Sequence, residues 1–179
     1  MKILKFGGTS LENPARIEKV ADLIQDDQPK MVVLSAIGGT TDKLEDITHY
    51  LYNNNRDAAR EITAGLEKKY RKLAEELFRT DEGLHRAFGM ISSHFNHIRS
   101  FFNKSYSTLQ QKSILAQGEL VSSALFQFFL EERDVGSQLV SALHFMRIDK
   151  NEEPDELYIK ENLERELAGY PGTNLFITQ

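Results

Sequence analysis

The start of the chain constrains its fold most, because a strand, a glycine turn and a helix are predicted within its first fourteen residues. The pattern of residues 2–6 predicts a short strand, which ends at two consecutive glycines. A helix is expected soon after, with Asn13 as its N-cap and Pro14 at its first position. The strand is expected to bury three apolar side chains: Ile3, Leu4 and Phe6.

The residues between this strand and helix, which we call the first glycine loop (residues 7–10), suit the binding of a phosphate. Gly7 and Gly8 let the backbone approach an anion closely, and the positive end of a helix dipole faces the same point. Thr9 and Ser10 add hydroxyl donors, and Lys5 adds a full positive charge. The alternative is a simple tight turn beside a solvated lysine. The order of lysine and glycines excludes a Walker A loop, and the spacing excludes GxGxxG.

A second loop of the same kind strengthens the phosphate interpretation. The continuous apolar run at residues 31–34 predicts a buried strand, and the intervening helix makes the first two strands parallel neighbours. The sequence SAIGGTTD follows, which we call the second glycine loop (residues 35–42). Because ligands bind at the carboxyl ends of parallel strands, two such loops at one edge are more specific than either alone.

The rest of the chain predicts an α/β fold with a mostly parallel sheet and a large helical insertion. Residues 43–132 are nearly all helical by periodicity, and the apolar residues 139–143 suggest a return to the sheet. A helix at 157–168 and a buried strand at 175–178 follow. Because the sequence stops inside an apolar strand, we expect an N-terminal piece of a longer protein. Without the strands of the missing part, the 174–178 strand is expected to present an unpaired edge.

Composition narrows the class of protein. A length of 179 residues with 40% hydrophobic content fits one domain. The net charge of −5 argues against nucleic acid or an anionic membrane as partner. The absence of cysteine suits a cytoplasmic protein and excludes thiolate metal sites. No apolar stretch is expected to reach the length of a membrane span.

Three motifs give the chain a family resemblance. KFGGTS at the start, VVLSAIGGTTD in the second glycine loop and AQGELVSS on the most apolar helix occur in this order. The chain resembles the N-terminal part of aspartokinases, members of the amino acid kinase superfamily. This resemblance implies a three-layer α/β sandwich, here truncated, with an insertion at about residues 43–132. The nucleotide-binding half and the regulatory region of the family would be absent.

The resemblance implies transfer of the γ-phosphoryl group of ATP, with Mg²⁺, to the β-carboxylate of L-aspartate. The product is 4-phospho-L-aspartate, the first intermediate towards lysine, threonine and methionine. A carboxylate is ionised at pH 7 and needs no general base, so the site must hold two anions in line and neutralise charge. Lys5 is the expected catalytic residue. It is expected to contact ATP phosphates together with Gly7, Gly8, Thr9 and Ser35.

Ser35, Thr41 and Glu119 are the expected aspartate-binding residues, Thr41 by resemblance alone. The α-ammonium group of aspartate requires a carboxylate partner, and Glu119 lies at the margin of an apolar helix stripe, where an unpaired charge is costly. The neighbouring Gly118 is disfavoured within a helix by about 1 kcal/mol and predicts close approach of another group. The alternative is an ordinary solvated glutamate.

Two other functions remain open on sequence alone. One is another acylphosphate-forming amino acid kinase, for glutamate or N-acetylglutamate. The other is a non-catalytic interaction module that works through residues 43–132. No metal site is expected from protein ligands alone, since Mg²⁺ would be held mainly by ATP. We expect a homo-oligomer that is inactive as the 179-residue chain.

Overall fold

The computed structural model describes residues 1–103 and 107–179, which form a parallel sheet between two layers of helices. The strands are β1 (Lys2–Phe6), β2 (Lys30–Leu34), β3 (Gln138–Leu139) and β4 (Leu175–Thr178). The helices are α1 (Pro14–Leu23), α2 (Thr40–Tyr52), α3 (Arg56–Leu77), α4 (Asp81–Arg99), α5 (Thr108–Leu115), α6 (Gln117–Glu132), α7 (Ala142–Phe145) and α8 (Glu156–Ala168). A short 3₁₀ helix, Gly8–Leu11, precedes α1.

The strand order is β1-β2-β4-β3, and all pairs are parallel. The connections β1 to β2 and β2 to β3 run in one direction across the sheet, whereas β3 to β4 runs back. Because parallel crossovers are right-handed, this reversal places the last connection on the opposite face. The larger core accordingly packs helices α1 to α6 on one face, and α7 and α8 cover part of the other. The predicted three-layer α/β fold is confirmed.

The start of the chain folds largely as predicted. Asn13 is the N-cap of α1 and accepts a hydrogen bond of 3.0 Å from the backbone N–H of Arg16, with Pro14 at the first helical position. One prediction was wrong. Ile3 is 70% exposed, because it lies on the edge strand β1, and the helices α7 and α8 cover only part of this face of the described sheet.

The helical insertion runs from α2 to α6 and agrees with the predicted range. Three of its helices have side-chain N-caps, with Asn55 before α3, Thr80 before α4 and a capping box at Ser107 before α5. The Glu67 carboxylate of α3 pairs with Arg71 of the same helix and with Arg99 of α4. The insertion is therefore joined by polar contacts as well as by its apolar core.

The second half of the sheet differs from expectation. The strand predicted from residues 139–143 is only Gln138–Leu139, and Ala142–Phe145 forms a short helix instead. Strand β4 was expected to present an unpaired edge, and this was wrong. It lies between β2 and β3, pairs with both and is buried along its whole length.

The consecutive helices α5 and α6 also correct an expectation. Together they span Thr108–Glu132, which is long and apolar enough to cross a membrane by length and composition alone. The expectation that no apolar stretch reaches this length was therefore wrong. Of the most apolar window, 67% is buried inside the fold, as in a core helix of a globular domain.

Candidate active site

The two glycine loops lie side by side at the carboxyl ends of neighbouring parallel strands, as predicted. Phe6 is aligned with Leu34, and the Ser35 N–H donates to the Phe6 carbonyl oxygen at 3.1 Å. Beyond the strands, the Gly38 N–H donates to the Gly8 carbonyl oxygen at 3.0 Å. This last bond joins the two loops directly, outside the regular ladder of the sheet.

Gly8 explains why the first loop needs glycine. A Cβ atom at Gly8 would lie 2.6 Å from the carbonyl oxygen of Ala36, closer than real Cβ contacts allow. A Cβ at Gly7 would meet nothing within 4 Å, so this glycine faces open space. Of the two adjacent glycines, Gly8 therefore permits the loops to touch, and Gly7 leaves the approach to them clear.

The loops present backbone N–H groups that the protein does not use. Within residues 1–103 and 107–179, the N–H groups of Gly7, Gly8, Thr9 and Gly39 have no hydrogen-bond partner. Those of Gly8 and Thr9 open the 3₁₀ helix, and Gly39 is the N-cap of α2 with φ +73°. Helix starts carry partial positive charge, so these donors suit an anion such as a phosphate or carboxylate.

Lys5 adds a cation beside these donors. Its side chain is exposed near the end of β1, and it forms no ion pair or hydrogen bond within the described part of the chain. An exposed lysine without a structural partner contributes little to folding. Its charge is therefore available to a ligand at the loops.

Glu119 is brought to the second loop by the glycine before it. A Cβ at Gly118 would lie 2.8 Å from the Cβ of Ala36 and 3.2 Å from Cδ1 of Leu44. The close approach predicted for Gly118 is thus present, and its partner is the second glycine loop. Glu119 follows in the first turn of α6 and is half-buried.

The Glu119 carboxylate has no cationic partner among the described residues. A carboxylate partly withdrawn from water favours a nearby positive charge. An ammonium group bound at the second loop would supply that charge. This is the chemistry expected of a residue that holds an amino acid.

Serine hydroxyls, which sequence reasoning missed, connect the Glu119 helix to the rest of the site. The Ser122 hydroxyl lies 2.8 Å from the Ser35 carbonyl oxygen and 3.0 Å from that of Glu119. Ser123 donates to the Glu119 carbonyl oxygen at 2.9 Å, and Gln179 donates to the Ser123 hydroxyl at 2.6 Å. The motif AQGELVSS offered the signal, because its two serines follow the glutamate by about one helical turn.

The two threonines at the start of α2 have different surroundings. Thr41, the predicted substrate contact, is exposed in the first turn. Thr40 is buried, and its hydroxyl lies 3.1 Å from the hydroxyl of Tyr70. Burial raises the pKa of the Tyr70 phenol above its ordinary value, against the lowering effect of hydrogen bonds from Thr40 and Ile37. The nearby Glu119 charge raises that pKa further.

Helix α3 supplies a second cation that sequence reasoning missed. The Lys69 ammonium donates to the Gly38 carbonyl oxygen at 2.5 Å. Several lysines occur in this charged helix, and no local pattern distinguishes Lys69 from Lys68 or Lys72. Only the packing of α3 against α2 brings it to the second loop.

No protein metal centre accompanies the loops. Among residues 1–103 and 107–179, no group of three or more His, Cys, Asp or Glu side chains could hold a metal ion. His94 hydrogen-bonds through Nδ1 to Oε1 of Gln117 at 2.7 Å. A cleft of about 560 Å³ lies at the opposite, amino-terminal edge of the sheet, lined by residues 24–27, 135–137 and 172–175.

Comparisons with known proteins agree on one family. The model of the amino acid kinase family matches residues 1–174. An aspartokinase from Chlamydia trachomatis is 34% identical over 123 residues, which is 69% of this chain and 26% of that protein. Lysine-sensitive aspartokinase 3 from Escherichia coli is 28% identical over 188 residues, covering 99% of this chain and 39% of that protein.

A solved structure shows the same fold. The crystal structure of E. coli aspartokinase III in complex with aspartate and ADP superposes with a TM-score of 0.83 at 24% identity. The match covers 100% of this chain and 40% of that one. The chain thus spans well under half the length of the relatives that it matches.

Proposed function

Since this chain belongs to the amino acid kinase family, we propose that it is the amino-acid-binding part of a longer aspartokinase (hereafter the full-length protein). The proposed reaction transfers the γ-phosphoryl group of ATP to the β-carboxylate of L-aspartate and yields 4-phospho-L-aspartate. This is the first step towards lysine, threonine and methionine. One observation carries the proposal: the Gly38–Gly8 hydrogen bond brings two sets of unpartnered amide donors together, next to the Glu119 helix.

The chemistry requires positioning rather than proton transfer. The attacking β-carboxylate is ionised at neutral pH, so its oxygen can attack phosphorus without a base. The main barrier is to hold two anions in line and to neutralise charge on the transferred group. Lys5 is the proposed catalytic residue for that charge. Amide N–H groups of Gly7, Gly8 and Thr9 would hold the phosphate oxygens.

The amino acid would lie between the second loop and α6. Glu119 would pair with the α-ammonium group of aspartate, and Ser35 and Thr41 would contact the substrate from the loop. The unpaired, half-buried state of the Glu119 carboxylate supports its part. The backbone groups of Ser35 are already used, since its carbonyl oxygen accepts from Ser122 and its N–H donates to Phe6, so its hydroxyl is the group that would contact the substrate.

The donors of this site fit nucleotide phosphates and not a protein-bound metal. Amide N–H groups and Lys5 are all positive or donor groups, so in this proposal Mg²⁺ is held mainly by ATP itself. When bound, Mg²⁺ would supply further neutralisation of phosphate charge. The proposed protein works in the cytoplasm as a homo-oligomer, with neither nucleic acid nor a membrane as partner.

Trapping of the acyl phosphate tests the function. The full-length protein would be incubated with ATP, Mg²⁺ and hydroxylamine, and the hydroxamate measured with aspartate, glutamate or N-acetylglutamate as acceptor. We expect kcat/KM for aspartate to exceed that for glutamate by roughly 10- to 200-fold, the usual effect of one methylene group. Equal or higher rates with glutamate or N-acetylglutamate would reassign the substrate. The absence of hydroxamate with all three would reject the kinase proposal.

A further inference from the structure

Two consecutive residues of α3 contact the second glycine loop on either side of Gly39. The Lys69 ammonium donates to the Gly38 carbonyl oxygen at 2.5 Å, and the Tyr70 hydroxyl lies 3.1 Å from the Thr40 hydroxyl. Both contacts span about thirty residues of sequence, from the middle of the helical insertion back to the sheet edge. The insertion therefore touches the candidate site directly.

Lys69 holds one side of a peptide group whose other side is free. The Gly38 carbonyl and the Gly39 N–H belong to the same planar unit and point in opposite directions. The Gly39 N–H has no hydrogen-bond partner in the described part of the chain, and Gly39 adopts φ +73°. A charged donor on the carbonyl fixes the direction of this N–H and polarises it.

The surroundings of the two residues differ in a way that separates their roles. Lys69 is exposed and forms no ion pair with a carboxylate among residues 1–103 and 107–179. Its ammonium lies 3.9 Å from the position of a Cβ atom at Gly39. Tyr70 is only 1% exposed and its ring packs against Phe95 with centroids 5.9 Å apart. Tyr70 thus belongs to the core, whereas Lys69 can change without disturbing it.

We propose that Lys69 is a positioning residue, which orients the Gly38–Gly39 peptide so that the Gly39 N–H faces the bound amino acid. This inference rests on the proposed function, because it assigns the second glycine loop to the binding of the amino acid. Lys69 acts through the Gly38 carbonyl group, whereas the Tyr70 hydroxyl contacts the hydroxyl of Thr40 in the same loop. A surface lysine that merely bridges α3 to the loop would leave substrate affinity unchanged.

Kinetics of the full-length protein give the first test. Lys69→Met keeps the aliphatic stem but removes the donor and the charge, and Lys69→Arg keeps both. Lys69→Met is expected to raise KM for aspartate by about fivefold or more, with a smaller change for ATP. Lys69→Arg should recover most of that loss. The matched control is Lys68→Met, an exposed neighbour without a side-chain partner in the described residues, which should have no effect.

Hydrogen exchange gives a second readout that does not depend on activity. In the 179-residue chain, Lys69→Met should speed exchange of the hydrogen-bonded amides of Gly38 and Thr40, whereas Lys68→Met and Lys69→Arg should not. Unchanged exchange, or an aspartate KM equal to that of Lys68→Met, would overturn the inference. If the wild-type full-length protein makes no aspartyl phosphate, the proposed function fails, and the exchange result alone decides whether Lys69 holds the loop.

Discussion

The backbone N–H of Gly38 donates to the carbonyl oxygen of Gly8, with 3.0 Å between nitrogen and oxygen. Thirty residues separate the two glycines, yet this bond fixes the spacing of the loops that follow β1 and β2. The bond uses the Gly38 N–H. The neighbouring N–H groups of residues 7–9 and of Gly39, which have no partner in the described residues, are left for a ligand.

Gly8→Ala should separate the loops, and Gly7→Ala should not. A Cβ at Gly8 would meet the Ala36 carbonyl oxygen at 2.6 Å, a backbone atom that cannot yield cheaply. We expect a loss of about 1–3 kcal/mol in the free energy of unfolding, as for other overpacked sites. Gly7 has φ −76° and ψ 170° with open space around it, so alanine fits there. Urea unfolding of both variants measures the difference, and equal stabilities would contradict the steric argument.

Lys5→Ala should abolish most activity without affecting folding. The side chain is exposed and unpartnered among the described residues, so the melting temperature should barely move. Turnover of the full-length protein should fall by at least about 100-fold, the scale of losing one preorganised charge contact. Lys2→Ala, at the other end of the same strand, is the control. Retained turnover in Lys5→Ala would remove Lys5 from the mechanism.

Glu119→Gln should weaken the binding of aspartate selectively. The amide keeps the shape of the side chain but cannot pair electrostatically with an α-ammonium group, so KM for aspartate should rise far more than KM for ATP. Glu131→Gln, at the far end of α6, removes the ion pair with Arg86 but keeps an amide oxygen that can accept from Gln127, and it should leave both constants unchanged. Equal effects of Glu119→Gln on the two substrates would count against this role.

Glu132 should make stability depend on pH. Its carboxylate accepts from the N–H groups of Arg79 and Thr80 and from the Thr80 hydroxyl, at the start of α4. Partial burial alone would raise the pKa of Glu132, but these hydrogen bonds outweigh it and hold the pKa below its ordinary 4.5. The stabilisation is therefore complete above pH 4.5 and is lost as pH falls through the lowered pKa.

Glu132→Gln is the corresponding variant. At pH 7 it should lower the free energy of unfolding by about 1 kcal/mol, and the difference from wild type should vanish in acid. Glu61→Gln, an exposed glutamate without a side-chain partner in residues 1–103 and 107–179, is the control and should behave as wild type throughout. A difference that persists at the acid end of the titration, where the Glu132 carboxyl is protonated, would show that the ionised form is not responsible.

The 179-residue chain should not turn over. The resemblance to aspartokinases implies that adenine and ribose contacts come from the other half of the kinase domain. Calorimetry with ATP, Mg²⁺ and aspartate should show no binding tighter than about 1 mM. A coupled assay should show no release of ADP, and steady turnover would mean that a nucleotide site lies within these residues.

Local patterns predicted the parts of the fold that local forces determine. The glycine turn, the Asn13 cap and the boundaries of the insertion follow from backbone freedom, capping and apolar periodicity, which sequence displays directly. Gly118 was informative because a glycine within an apolar helix has few explanations other than close packing. The same reasoning indicated Glu119 as part of the site.

Long-range packing determined what the sequence did not reveal. Apolar patterns identify a strand but not its neighbours, because strand order depends on the direction of each crossover. Strand β4 was therefore expected at an edge, although it lies in the middle of the sheet. Lys30, which no sequence motif singled out, is fully buried and donates to the carbonyl oxygens of Ile24 and Asp26. Lys69 resembled its neighbours on α3 until the helix was docked against the second loop.

The position of β4 has a consequence for how the chain reaches its native state. Strand β4 follows β3 in sequence but enters between β2 and β3, which are more than one hundred residues apart in sequence. Until residues 175–178 leave the ribosome, neither β2 nor β3 can form its hydrogen bonds with β4. Strands β1 and β2 can already pair, because α1 connects them. Pairing of β4 with β2 and β3 is thus a late folding step between residues far apart in sequence. The entropic cost of closing these long loops falls on this one step. A nascent chain would hold a βαβ unit and a helical bundle until β4 is synthesised.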